Sequence, residues 1–276
     1  MGRLPIVTYH DITNREQFAR QIAHMAGRYT FVRIEQLADH LDHGTPLPDR
    51  PLLVTFDDAY PAVYHLGLDV LRKYRVPATV FVITELVGTD RPYWWDEVVY
   101  YTPDDWTAQQ KKEAQWKVKE WPDAERLAYL ERLRAASDKP RLRRQQLTWE
   151  QLHEMQEQGI TLANHTHDHP ILDQCSTEEV KRTISSAARI LCEHHCGGYR
   201  YFAYPNGNLS ADSREALRRV PTELAFLFDH QLTDLSADRL ALSRLSMNSE
   251  NSLFKTRLIL SGYHSRYLNL RKKLLQ

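Results

Sequence analysis

Two aspartates, Asp57 and Asp58, stand side by side after the apolar run "PLLVTF" at 51–56. Adjacent like charges cost free energy, so the pair implies two separate tasks. Holding a metal ion is one task that needs a buried carboxylate. A second polar cluster, "NHTHDHP" at 164–170, follows "ITLA" and sets His165 and His169 four residues apart, with His167 and Asp168 between them. Two histidines and one carboxylate make an open metal set that leaves positions for water and substrate. An ion so held lowers the pKa of a bound water toward ~7 and polarises a carbonyl. The second aspartate is then free to act as general base. A third cluster, "YPNGN" at 204–208, follows "YRYFA".

Chemistry of this kind needs elements that bring the three clusters together. Strand-like and helix-like segments alternate along the chain. "PIVTYH" (5–10), "PLLVTF" (51–56), "ATVFVI" (78–83), "ITLAN" (160–164), "YRYFAYP" (199–205), "ELAFLF" (223–228) and "LALSRLSM" (240–247) read as strands. The continuous apolar runs suit strands covered on both faces. Helices are predicted over 14–28 with Asn14 as cap, 34–44, 62–76, 148–159, 176–195 and 213–220, with a C-terminal one from Ser252. Thr148 with Gln151, and Ser176 with Glu179, form capping boxes. Repeated strand–helix units imply a parallel sheet, open or closed into a barrel, with active groups at the C-terminal strand ends. All three polar clusters lie at such ends. Between about 88 and 147 the alternation loosens into charged, helix-prone sequence, which reads as a helical insertion in a single domain spanning 1–276.

Composition narrows the class. Apolar residues make up 42% of the 276 and charged residues 26%, as in a globular protein with a sizeable core. The 36 acidic and 36 basic side chains cancel, which argues against nucleic acid or anionic membranes as partners. No apolar run approaches a membrane span. The N-terminus has no signal-peptide layout, so a cytoplasmic location is expected of the chain as given, or an exported one if a leader has been trimmed. Three cysteines without framework spacing suit a reducing compartment.

The ordered set "TFDD", "H-T-x-x-H" and "F-x-x-P-x-G" resembles the motifs of the polysaccharide deacetylase family (NodB homology, carbohydrate esterase family 4) over about residues 5–250. The resemblance implies an α/β fold, a distorted (β/α) barrel that removes N-acetyl groups from amino sugars with one divalent metal, zinc by default. Carried over by position, Asp57 is the catalytic base, Asp58, His165 and His169 are the metal ligands, and Thr166 buttresses the histidine loop. The backbone N–H of Asn206 helps to hold the oxyanion, a contact worth roughly 3 kcal/mol of barrier. Tyr204 of the same motif, with Trp94 and Trp95 of the insertion, is a candidate sugar contact, although the two tryptophans could equally be insertion core. The chain departs from the family pattern twice. Ala203 stands where an arginine often orients the base, which makes Arg244 the candidate for that task. The late "Leu-x-His" that supplies a general acid is missing, leaving His10 and His230 as substitutes. The expected partner is an N-acetylated glycan. An O-deacetylase, a deformylase or a non-catalytic glycan binder on the same fold are the alternatives. "CEHHC" at 192–196 falls on a helix end and is not expected to bind metal.

Overall fold

The computed structural model describes residues 3–265. Its main sheet contains β1 (Ile6–Tyr9), β2 (Pro51–Phe56), β3 (Thr79–Val82), β4 (Thr161–Asn164), β5 (Gly198–Ala203), β6 (Leu224–Phe226) and β7 (Leu245–Ser246). The order is β7-β1-β2-β3-β4-β5-β6, with every pairing parallel. The stretch ending in β7 touches both edges: Leu242 bridges Phe226 of β6, and Leu245 pairs with Val7 of β1. The sheet therefore curls into the distorted (β/α) barrel that the motifs imply, joined by one irregular strand.

Alternation along the strands decides what faces the interior. Leu52, Val54 and Phe56 pack outward, in one cluster with Phe18, Ile22 and Met25 of α1 (Arg15–Ala26). Leu53 packs inward with Ile6, Phe81, Ala163, Tyr201, Phe226 and Leu242. The same parity sends Thr55 and Asp57 along the inner face of β2, and Thr8 and His10 along that of β1. The helices α2 (Ile34–His43), α3 (Leu68–Lys73), α7 (Trp149–Glu157), α8 (Thr177–Glu193), α9 (Ala211–Arg219) and α10 (Leu253–Leu260) complete the alternation. Asn14 caps α1 through Gln17 N–H, and both predicted capping boxes form.

Three boundaries differ from expectation. The helix predicted over 62–76 opens with a π-turn, Val63–Gly67, before α3. Gly67 there lies against Ile12, whose Cδ1 would sit 2.5 Å from an added Cβ. The strand predicted over 223–228 is regular only at 224–226, and that over 240–247 only at 245–246, apart from the single bridge at Leu242. Around Arg244 the backbone leaves the ladder because its N–H bonds the Asp229 carboxylate and its carbonyl accepts from Gln231. The 88–147 stretch is helical: α4 (Trp94–Tyr101), α5 (Ala108–Val118) and α6 (Asp123–Ala136). Trp94, Val98, Val118 and Leu130 form its small core and pack on Ile171, in the loop that follows β4. The insertion thus lies over the histidine cluster.

Candidate active site

Asp57 follows β2, with its N–H anchored on the Tyr9 carbonyl at 2.9 Å. The residue is 2% exposed. Both carboxylate oxygens accept from the Arg244 guanidinium, Oδ1 from Nη1 and Oδ2 from Nη2, each at 2.7 Å. Arg244 is fully buried. It also donates to the Leu227 carbonyl at 2.8 Å and to the Thr8 and Thr55 hydroxyls, each at 3.2 Å. The rings of Phe81 and Phe226 flank it at 5.5 and 6.0 Å. Two-point, charge-assisted pairing is the strong form of this contact. Burial works to raise the Asp57 carboxyl, but the charge of Arg244, then His165, and the guanidinium hydrogen bonds hold it below the ordinary carboxylate range. Arg244 thus pairs with Asp57 through both terminal nitrogens.

Asp58 turns the other way because its backbone is left-handed (φ 68°), as is Ala59 after it (φ 52°). The left-handed turn aims Asp58 at the histidines. His165 Nε2 lies 3.1 Å and His169 Nε2 3.4 Å from Asp58 Oδ1. One donor atom from each of the three residues lies within 4.8 Å of the others. His165 Nδ1 bonds the Ala203 carbonyl at 2.9 Å, which leaves Nε2 facing Asp58. Asp58 Oδ1 and His169 Nδ1 are buried without a hydrogen-bond partner. A buried acceptor left unpaired is costly. A cation between Asp58 and the two imidazoles removes the deficit at Oδ1, so the donor set fits a divalent metal. Burial pushes His169 down to about 3, aided by the charges of His165, Arg126 and Lys119 and opposed by Asp58. It is therefore neutral, the form that ligates. Burial would also raise the Asp58 carboxyl, yet the imidazole of His165 beside it and the charge of His169 hold it far below the ordinary range.

The histidine loop is locked from within. Thr166 N–H donates to Asn164 Oδ1 at 2.8 Å, and His169 N–H donates to Thr166 Oγ1 at 3.0 Å. Thr166 and His169 are also left-handed (φ 69° and 50°). His167 Nδ1 bonds Thr84 Oγ1 at 3.0 Å, and Asp168 pairs with Arg182 at 2.7 Å, so both lie outside the metal set. In the third loop Asn206 sits at φ 58°, and Gly207 is required where an added Cβ would meet Phe228 N at 2.6 Å.

Other expected site residues are placed differently. Tyr204 is not a sugar contact: it is fully buried against Phe202, with its hydroxyl on the Leu240 carbonyl, because strand parity turns it outward into the α8–α9 core. Trp94 is insertion core, and its indole N–H donates to the His169 carbonyl at 3.2 Å. Trp95 is half-buried at the site, edge-on to the His169 ring at 4.7 Å, and it donates to the Tyr60 hydroxyl. His10 Nε2 lies 4.0 Å from Asp57 Oδ2. The His230 ring packs on Phe228 at 4.8 Å. All three cysteines are free, and His194 of "CEHHC" stacks flat on Trp149 at 3.7 Å. Among the described residues, Asp58, His165 and His169 are the one such group arranged to hold a metal.

Three contributors escaped the sequence reading. Tyr93 stacks on Trp95 and donates to the Asp58 carbonyl, and Tyr60 receives the Trp95 bond. Lys119, at the C-terminal end of α5, donates from Nζ to Asn206 Oδ1 at 2.8 Å. The tyrosines adjoin motifs already singled out, at "DDAY" and "PYWW". Nothing in the sequence marks Lys119 apart from the other lysines of the insertion. A cavity of about 650 Å³ opens beside His169 toward the insertion, next to Trp95 and Asp168.

A barrel with a buried, arginine-clamped carboxylate beside a two-histidine, one-carboxylate cluster defines a metal-dependent hydrolase site. The profile of the polysaccharide deacetylase family matches residues 44–225. The chain belongs to that family, hydrolases that remove N-acetyl groups from polysaccharides with a divalent metal. It is 22% identical over 257 residues to the poly-beta-1,6-N-acetyl-D-glucosamine N-deacetylase of Staphylococcus epidermidis, covering 90% of this chain and 71% of that one. Its fold matches the Streptococcus pyogenes deacetylase PplD, solved with acetate, at a TM-score of 0.68 and 19% identity over 95% of this chain and 98% of that chain. IcaB from Ammonifex degensii matches at 0.65 and 21% identity, over 95% and 97% of the two chains.

Proposed function

We propose that this chain removes N-acetyl groups from amino-sugar residues of a polysaccharide or surface-glycan precursor, with zinc held by Asp58, His165 and His169. The observation that carries this reading is the ionised Asp57, clamped by Arg244 and buried beside that donor set. Two imidazoles and one carboxylate suit zinc with an open position. When bound, the ion supplies an acidified water and a Lewis-acid contact to the acetyl carbonyl. Asp57 accepts the proton of the attacking water. Arg244 keeps that carboxylate ionised and fixes its direction, and it does not itself transfer a proton, since guanidinium stays charged. The Asn206 N–H donates to the oxyanion. His10, 4.0 Å from Asp57 and partly open to solvent, delivers a proton to the departing amine. Acetate and a free amino sugar leave. The S. epidermidis relative, named for poly-beta-1,6-N-acetyl-D-glucosamine, supports a glucosamine-based polymer as the substrate class.

The test is acetate release from N-acetylglucosamine oligosaccharides, with chelator and with zinc or cobalt restored. Release is expected to vanish with chelator and return with metal, and Asp57→Asn is expected to lower kcat by about 10²–10⁴. Full activity in Asp57→Asn removes the base assignment. His10→Gln is expected to cost about 10²-fold in kcat with little change in KM. A variant that keeps the parental kcat and pH profile shows that His10 is not the acid.

A further inference from the structure

The insertion carries an open aromatic groove that nothing in the hydrolytic site uses. Around the end of α5, Val118 turns into the insertion core, while Trp116 stands 55% exposed on another side. Trp106, Trp121 and Tyr129 line a groove of about 710 Å³ with Trp116, and Gln110 and Glu113 give it a polar rim. Trp121 and Tyr129 meet edge to face at 5.0 Å, which holds two of its walls. Lys119 joins this groove to the catalytic loop. Its ammonium lies 4.7 Å from the centre of the Trp116 ring and, in the same conformation, donates to Asn206 Oδ1 at 2.8 Å. One side chain therefore spans the distance between the aromatic platform and Asn206, the residue given the oxyanion contact in the proposed reaction.

We infer that the groove is a glycan subsite that takes a pyranose ring further along the chain being deacetylated. The faces of a pyranose present C–H groups, which pack on an aromatic face, while the ring edge presents hydroxyls to a polar rim. The combination of broad apolar walls with a few amide and carboxylate groups is the composition of such a site. Continuity through Lys119 makes the occupant a neighbouring residue of the same substrate and not a second, separate sugar. The inference rests on the deacetylase reading of the adjoining site. It makes the preferred substrate an oligomer or polymer, because the groove takes a residue other than the one whose acetyl group lies at Asp57.

The decisive comparison uses the N-acetylglucosamine monosaccharide, disaccharide and hexasaccharide, each measured for binding by calorimetry and for kcat/KM. Trp116→Ala is expected to weaken binding of the hexasaccharide and lower its kcat/KM by about tenfold, the scale of one aromatic stacking contact. It is expected to leave the monosaccharide unchanged. Trp116→Phe keeps a ring in place and is expected to retain most of the hexasaccharide affinity, which separates lost stacking from a damaged fold. Equal values for wild type and Trp116→Ala at every length overturn the subsite, as does an equal loss at every length. If wild type releases no acetate from any of these sugars, the deacetylase reading falls, and the calorimetric comparison still decides whether the groove binds glycan.

Discussion

Arg244→Met is expected to unfold in denaturant with about 3–5 kcal/mol less stability than wild type, and to lose about 10²-fold or more in kcat/KM. The guanidinium is fully buried and makes two parallel bonds to Asp57. Removing it leaves a carboxylate stranded in the barrel interior, the situation in which breaking a buried pair is most costly. The carboxylate must then take up a proton or move, and either change removes the base. Adding Asp57→Asn to Arg244→Met eliminates the stranded charge. The double variant is therefore expected to recover much of the stability and none of the activity. Arg244→Lys is expected to rescue poorly, because one ammonium cannot reproduce the planar fork together with the bond to Leu227. The pair also sets an acid limit. The folded-state Asp57 carboxyl is held below its ordinary range, so its contribution is fully present above about pH 4 and is lost as pH falls through the lower folded value. Wild type and Arg244→Met should therefore converge in stability toward low pH. Unchanged denaturant midpoints in Arg244→Met at pH 7 would falsify the account of the clamp.

Stripping divalent metal is expected to lower the melting temperature, and zinc at about 100 times its Kd is expected to restore about 2.7 kcal/mol. For a chain of this size that corresponds to roughly 5–10 °C. The physical basis is the orphaned Asp58 Oδ1 beside two imidazoles, a cluster with buried donors and too few partners of its own. In Asp58→Asn the zinc-dependent increment should shrink to near zero, since a neutral amide oxygen is a much weaker ligand than a carboxylate. The increment should also shrink with acidification. His169 is already neutral, but His165 is raised: burial opposes its charge, and the carboxylate of Asp58 beside it, with the charge of Asp57, more than compensates. Zinc must displace that proton, so its apparent affinity falls as pH drops through and below the raised His165 value. Calorimetric melting at two pH values, with and without zinc, measures both effects. A Tm indifferent to zinc at either pH would remove the metal assignment while leaving the Asp57–Arg244 clamp untouched.

The sequence by itself determined a good deal. The buried strands announce themselves as apolar runs, and Asn14, Thr148 and Ser176 announce helix starts, because these signals act within a few residues of chain. Asp57-Asp58 and His165-x-x-x-His169 were legible for a related reason: a residue that follows a strand in a parallel barrel points to the common end, so order alone brings them together. Residues outside that local logic had to wait for the tertiary structure. Arg244 could be nominated from its late strand, but only the irregular segment that closes the barrel shows both its nitrogens on Asp57. Tyr204 was misplaced because its motif neighbours face the site while its own parity sends it into the α8–α9 core. Trp94 and Trp95 are adjacent in sequence, yet helix geometry turns one into the core and the other onto His169. Lys119 was invisible for a further reason. It lies 87 residues from Asn206, and the packing of the insertion over the barrel mouth is decided by Trp94, Val118 and Leu130 meeting Ile171, a contact with no local signature. Chemistry set by residue type and strand order can be read along the chain. Chemistry set by how one element leans on another is decided only when the apolar faces of both are buried together.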